Sequence, residues 1–483
     1  MTRERAILGF LDEMEGRGLH GFILTLNGET LGEGYCAPFT KERMHRMYSV
    51  SKSVVSLAVG MLADEGRLSL EDRIVDHFPE YVDEHTPALL REVTIRNMLM
   101  MSTCYDRAMY VPLEDEDWTK PFFYGEPTHP AGMLFHYDTS ASQVMCALVE
   151  KLTGEKILSF MQRRLFDRIG MDGEKQWLCD RAGTSQGGTG LSMTLCDFSH
   201  LANFCMSDGM GIVSESYLRA ATGWQIATQE RSAPEERYGY GYQFWRMRRG
   251  FYMYGLGGQM ALCLPEEGLC LCTTADMMLS SVGVQPIFDA FFNHLAGIGG
   301  LPHDAEDAKL LDKRIASLRL PPFEGAPVRG RIRIELERSG LPFEALDLLP
   351  DGVTFDIGAQ RYTLPCAPGV WSGGVFPATD QACIASGGFA ADGRFILRCE
   401  LCDDFVCGME MIVSFKQDRA ALRINGALWE CARGWSGLAW GRAEQAGGLD
   451  PLKEQSFRAF LHVFRASLLF KLTFPVIFVI QEI

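Results

Sequence analysis

The stretch YSVSKSVVSLAVGML, residues 48–62, joins an almost wholly apolar run from Val54 to Leu62 to a polar entrance. The run predicts a helix over 49–65 that is buried on most sides. Asp64-Glu65-Gly66-Arg67 ends it, with Gly66 a natural left-handed terminator. Ser49 falls at the N-terminus, where serine is a preferred cap. A capped core helix accounts for everything here except Lys52. Three residues after Ser49, Lys52 shares its helix face. Beside a buried first turn it loses hydration, which lowers its pKa. A neutral lysine can accept a proton from a serine hydroxyl one turn away. The unpaired N–H groups and positive dipole end of the helix favour a developing anion. Ser49 and Lys52 are therefore candidates for nucleophile and base, although Ser-x-x-Lys alone recurs by chance.

The chain of 483 residues suits two or three domains. With 47% apolar residues it can build a large core. A formal charge of −16 argues against nucleic acid as a partner. The acid is dispersed except for Glu114-Asp115-Glu116-Asp117, which reads as a solvated loop. Fifteen cysteines without a regular framework, and a charged N-terminus unlike a signal peptide, give the expectation of a reducing, cytoplasmic setting. Cys399 and Cys402 form one C-x-x-C with Cys407 beyond, but no second ligand pair makes a zinc site. Buried thiols are the better reading, and no metal is expected.

Around the opening helix, residues 21–35 read as a hairpin turning at Asn27-Gly28. Helices are expected at 141–154, 157–170, 192–206, 214–223 and 281–299, with short ones in LSLEDRIVDHFPEY and TIRNMLMM. Strands return in YGYGYQFWRMRR, FYMYGLGGQMALCLP and GLCLCTTAD. A sheet fed from both ends of residues 1–300, with helices between, predicts an α+β domain. Residues 301–322, ending at Pro321-Pro322, read as a linker. Residues 323–445 read as successive short strands, hence an all-β domain, a small barrel or sandwich. The remaining 446–483 form an apolar tail. Within it 457–480 is interrupted by Arg465, Lys471 and Pro475 and falls short of a membrane span. A docking helix is preferred there over membrane contact.

Two further stretches carry chemistry. In FHYDTSAS, 135–142, the Tyr137 hydroxyl can donate, accept or relay a proton; a half-buried loop tyrosine is the plainer reading. In GLGGQMALCLPEEG, 255–268, a glycine cluster lets backbone approach a ligand or simply makes a turn. With Ser49-Val50-Ser51-Lys52, these pieces in this order resemble the serine β-lactamase and penicillin-binding-protein superfamily. The likeness is to its class C β-lactamase-related branch of esterases, D-peptidases and amide hydrolases. TIRNMLMMST and GGTGLSMTLCDFSHLANF add to the resemblance, which covers about residues 10–297. It implies a β-lactamase/transpeptidase-like domain, an antiparallel sheet with a helical block.

The resemblance implies acyl transfer from a small ester or amide through an acyl-serine, with no cofactor. Ser49 would be the nucleophile, Lys52 the base and Tyr137 the proton relay, base and relay being interchangeable at this point. The backbone N–H groups of Ser49 and Leu256 would form the oxyanion hole. Thr139 stands where relatives carry the Asn of Tyr-x-Asn, and Met253-Tyr254-Gly255 stands for their Lys/His-Thr/Ser-Gly. Thr139, Tyr254, Gly255 and His136 are the expected substrate-binding residues, His136 against the plainer reading of a loop histidine. The loss of the Asn amide and of the strand cation argues against a dedicated β-lactamase. Arg237 and Arg246 are candidates to supply a cation instead. A β-lactamase or D-amino-acid peptidase remains an alternative, as does a catalytically silent binding or scaffold protein on the same fold. A rival nucleophile is Ser185, in Gly183-Thr184-Ser185-Gln186-Gly187, but it lacks the strand before and helix after that such an elbow needs. Oligomeric state is not legible.

Overall fold

The structure, a computed structural model, describes residues 1–110, 115–228, 231, 233–402, 408–426 and 435–445. The chain forms two compact units. Of the described residues, the first holds Met1–Met277 and Val282–Arg319; the second holds Met278–Ser281 and those from Leu320 to Gln445. The apolar tail 446–483, Cys407 and Glu114 of the acidic run lie outside the described residues.

In the first unit a six-stranded antiparallel sheet runs in the order Glu29–Tyr35, Leu19–Leu26, Leu269–Ala275, Gln259–Leu264, Phe251–Gly255, Trp245–Arg246. The first hairpin turns on Asn27 and Gly28, both at positive φ, as a two-residue primed turn requires. Sequence-distant strands meet in register, Phe22 opposite Thr273 and Leu24 opposite Leu271. The helical block fills the interval between the hairpin and the returning strands. At its centre the helix Val50–Asp64 packs against the helix Thr139–Thr153 and the strand Phe251–Gly255. Its Val54, Val55, Leu57, Val59, Met61 and Leu62 are each 1% exposed or less. At roughly 1.5–3 kcal/mol for each such side chain, their burial offsets the cost of taking Lys52 out of water in the same helix.

Some elements differ from expectation. The segment read as a helix over 192–206 begins as a strand, Leu191–Thr194, held between Met44–Arg46 and Gln176–Trp177 in a three-stranded sheet. Its helix starts at Leu195, capped by the Thr194 hydroxyl. The helix expected over 157–170 stops at Arg164, and the one expected over 281–299 is regular only over Gln285–Ala290. The stretch 301–322 holds a helix, Ala305–Ala316, whose N-terminus is capped by Asp304.

The second unit is all-β. Among the described residues, ten strands form one antiparallel sheet, from Gln360–Pro365 at one edge to Ser372–Val375 at the other. The sheet curls until Pro365 lies beside Gly374. Trp435 fills its core against Phe343, Phe355 and Phe376. Cys399 and Cys402 are buried.

Candidate active site

The Ser49–Lys52 pair lies where a strand gives way to a helix. The strand Met44–Arg46 ends, Tyr48 takes φ +44°, and the helix starts at Val50. A non-glycine residue in this left-handed region costs about 1–3 kcal/mol and must be held there by its surroundings. Tyr48 is buried, with the Arg46 guanidinium 5.1 Å from its ring centroid. Arg46 is anchored in turn, donating to the Thr189 carbonyl at 2.9 Å and to Gln186 Oε1 at 3.1 Å. The bend thereby fixes the direction in which Ser49 leaves the sheet.

Ser49 does not cap the helix through its side chain. Its hydroxyl instead accepts from Lys52 Nζ at 2.9 Å. The lysine is 1% exposed, and its second bond goes to the Gly188 carbonyl at 2.8 Å. Burial pulls the Lys52 pKa from 10.5 down to about 7, against the opposing pull of the Asp138 charge. Near neutral pH, a fraction of Lys52 is therefore neutral and hydrogen-bonded to a serine oxygen. That arrangement can move a proton.

Three other segments converge on the pair. The Tyr137 ring centroid is 5.0 Å from Lys52 Nζ. Tyr137 is half-buried, stacked on Trp245 at 5.5 Å and meeting the Tyr240 ring edge-on at 6.4 Å. Thr139 opens the helix Thr139–Thr153, whose N-terminus is capped by Asp138 accepting from the Ser140 N–H at 2.8 Å. The loop 187–190 crosses above, with the Gly187 N–H donating to Gln143 Oε1 at 2.9 Å. A Cβ on Gly188 would lie 2.3 Å from Thr139 Cγ2 and 3.2 Å from Lys52 Nζ, so only glycine lets the loop carbonyl reach the lysine. The strand Phe251–Gly255 ends against the same bend, since a Cβ on Gly255 would lie 2.0 Å from the Met47 carbonyl oxygen. Met253 points into the core, while Tyr254 and Leu256 are half-buried. His136 is half-buried, its main-chain N–H donating to the Met101 carbonyl at 2.8 Å.

The rival nucleophile is a structural residue. Ser185 is buried, donates to Glu150 Oε1 at 2.6 Å, and is followed by the Gly187-Gly188 loop, with no helix. Each of the two candidate arginines holds a main-chain carbonyl. Arg246 donates to the Thr222 carbonyl at 3.0 Å and Arg237 to the Arg231 carbonyl at 2.6 Å. Among the described residues, no cluster of three or more His, Cys, Asp or Glu side chains is arranged to hold a metal ion. Sequence reasoning missed three contributors: the Gly188 carbonyl, the buried Asp138 carboxylate, and the Trp245–Tyr240 wall behind Tyr137. Asp138 was in view inside Tyr137-Asp138-Thr139; the other two come from distant segments.

The family model described as Beta-lactamase matches residues 12–276, more than half of the chain. The 6-aminohexanoate-dimer hydrolase of Paenarthrobacter ureafaciens is 23% identical over 219 residues. That match covers 41% of this chain and 56% of the relative, so the chain spans little more than half the length of the curated protein it matches. The crystal structure of a penicillin-binding protein homologue from Caulobacter crescentus superposes with a TM-score of 0.50 at 15% identity, over 61% of this chain and 98% of that one. It shows a shared fold.

Proposed function

From the premise that the chain belongs to the β-lactamase family, we propose that it is a serine hydrolase acting on a small ester or amide through an acyl-serine. The observation that carries this reading is the buried Lys52, with Nζ 2.9 Å from Ser49 Oγ and a pKa drawn down to about 7.

The reaction follows from the residues. Ser49 Oγ attacks the substrate carbonyl carbon as its proton passes to neutral Lys52. The new C–O bond turns the carbonyl oxygen into an oxyanion at the helix N-terminus, where the Ser49 and Leu256 N–H groups are the proposed donors. Each such donor is worth about 3 kcal/mol of barrier. As the tetrahedral centre collapses, the bond to the leaving alcohol or amine breaks. The proton held on Lys52 passes to that group through the Tyr137 hydroxyl. Water then attacks the acyl-serine as Lys52 takes its proton; the bond between the acyl carbon and Ser49 Oγ breaks, Lys52 returns the proton to Oγ, and the acid leaves. Thr139, Tyr254, Gly255 and His136 are the proposed substrate-binding residues. No cofactor takes part in this scheme.

The relative's name supports the amide, because a dimer of an amino acid is joined through its amine and carboxylate. A β-lactamase or D-amino-acid peptidase is the less favoured reading, since Met253 and Tyr254 offer no cation on the strand beside Ser49. The test is hydrolysis of p-nitrophenyl acetate and butyrate by the wild type and by Ser49→Ala. Loss of turnover in a folded Ser49→Ala variant supports the reading; near wild-type turnover overturns it.

A further inference from the structure

Asp138 lies between the tyrosine and the threonine of the second motif, and its side chain is fully buried. Oδ1 is committed: it accepts the Ser140 N–H at 2.8 Å and the Ser140 hydroxyl. Oδ2 accepts no hydrogen bond. An unsolvated carboxylate oxygen is expensive unless a positive charge faces it. Helix capping explains Oδ1 and would be served as well by an uncharged Asn or Ser. Burial pushes the Asp138 carboxyl up from 3.8 to about 6, so it is still mostly charged at neutral pH, and capping does not explain that charge.

The groups facing this carboxylate are few. From the nucleophile helix comes Lys52; from the segment after the helix Ile95–Leu99 come Cys104 and Tyr105. Burial pushes both the thiol and the phenol upward, so at neutral pH neither carries charge. Tyr137 adjoins Asp138 in the chain and presents its ring to Lys52. Among the described residues, Lys52 is therefore the cation facing Asp138. The lysine has no carboxylate among its hydrogen-bond partners, which are Ser49 Oγ and the Gly188 carbonyl.

We propose that Asp138 is a positioning residue for the reaction proposed above, a buried counter-charge that acts on Ser49 only through Lys52 and holds part of the lysine population protonated. This inference rests on the reading of Lys52 as the base. The carboxylate stabilises the ammonium formed when Ser49 gives up its proton, and so helps the acylation step. It also sets how much neutral lysine is available at a given pH. Burial alone would drive Lys52 lower still, to a weaker base.

The test is the pH profile of kcat/KM for p-nitrophenyl acetate with Asp138→Asn, which keeps the capping oxygen and loses the charge. Without the counter-charge the ascending limb should move to lower pH by about one unit, with a lower plateau. Asp138→Ser, also uncharged and also a capping residue, should shift the same limb the same way. Thermal unfolding is measured in parallel, because a purely structural cap would change stability and leave the midpoint in place. An unmoved midpoint, or one moved to higher pH, in either folded variant overturns the proposal. Fluorophosphonate labelling of the wild type separates the two claims. A label on Ser49 with an unmoved midpoint removes Asp138 alone, whereas no label on Ser49 removes the serine-hydrolase reading and this inference with it.

Discussion

Lys52 beside Ser49 and His20 beside His45 are both basic groups withdrawn from water in the same unit. His45 is on the strand that leads to Ser49, and its Nε2 lies 3.2 Å from His20 Nδ1. Phe39 stacks on His20 at 3.8 Å. Burial lowers all three pKa values: Lys52 from 10.5 to about 7, His45 from 6.5 to about 4, and His20 well below 6.5, helped there by repulsion from His45. The same physical cause has opposite consequences because the starting points differ. Desolvation brings a lysine to the working pH, where it can gain and lose a proton. It takes a histidine away from that pH and leaves a neutral ring that only packs. A buried histidine in the place of Lys52 would be a poor base, which gives a reason for lysine in this site.

The sharpest break of this comparison is Lys52→Arg. Arginine keeps the charge but stays protonated at any working pH. The variant should lose roughly 10²–10⁴-fold in kcat, the usual worth of a general base. Retention of most activity, read from p-nitrophenyl acetate turnover, would make Lys52 an electrostatic group and Tyr137 the base.

The histidine pair should announce itself in stability alone. Above pH 6.5 the rings are neutral whether folded or unfolded, and contribute no pH dependence. Below that value the unfolded chain binds protons that the folded chain refuses, so stability falls from pH 6.5 down to about 4, by about 3 kcal/mol for His45. Urea unfolding at pH 7, 5 and 4 should show the decline, and His45→Gln should flatten it. An equal slope in that variant would contradict the account.

Lys52 follows the same sign over a higher window. Its folded value is depressed, so its cost to stability grows as pH falls from 10.5 to about 7. In the Asp138→Asn background, where no buried carboxylate is left without its counter-charge, replacing Lys52 with Met should stabilise the fold at pH 7 by about 2 kcal/mol, roughly 4 from neutralisation less about 1 for each of two hydrogen bonds. A stabilised and inactive Lys52→Met would mark a residue kept for chemistry. A destabilised one would place Lys52 with the packing residues.

The smallest expected effect concerns the substrate. With Met253 in the core and Arg246 and Arg237 bonded to carbonyls, an anionic β-lactam would leave its carboxylate poorly partnered. Turnover of p-nitrophenyl acetate or butyrate should exceed that of nitrocefin in kcat/KM, and the reverse order would return the protein to the β-lactam hydrolases.

The sheet of the first unit, its central helix and the Ser49–Lys52 spacing were legible because each is a local pattern: alternation, an apolar run, a turn dipeptide. What escaped was set by distant partners. Leu191–Thr194 continues a helical-looking segment, yet it is pinned as a strand by Met44–Arg46 from far up the chain. In the second unit, where short strands were expected throughout but this one was not singled out, Gly437–Gln445 holds alanine, glutamate and glutamine, weak strand formers, and is a strand because it lies between Ile332–Ser339 and Arg419–Gly426. Ser372–Val375 and Ala345–Leu349 are too short, or too rich in glycine, to show a period. The Gly188 carbonyl could not be foreseen as a lysine partner, since a backbone acceptor carries no side-chain signature.

The most direct test of the central claim is the rate at which a fluorophosphonate labels the protein across pH 5–9, with the modified residue located by peptide mass spectrometry. The account predicts a single label on Ser49, a rate that rises through a midpoint near pH 7 as Lys52 loses its proton, and no such rise in Lys52→Arg. A label on Ser185, no label at all, or a Ser49 rate indifferent to pH and to Lys52→Arg would contradict it.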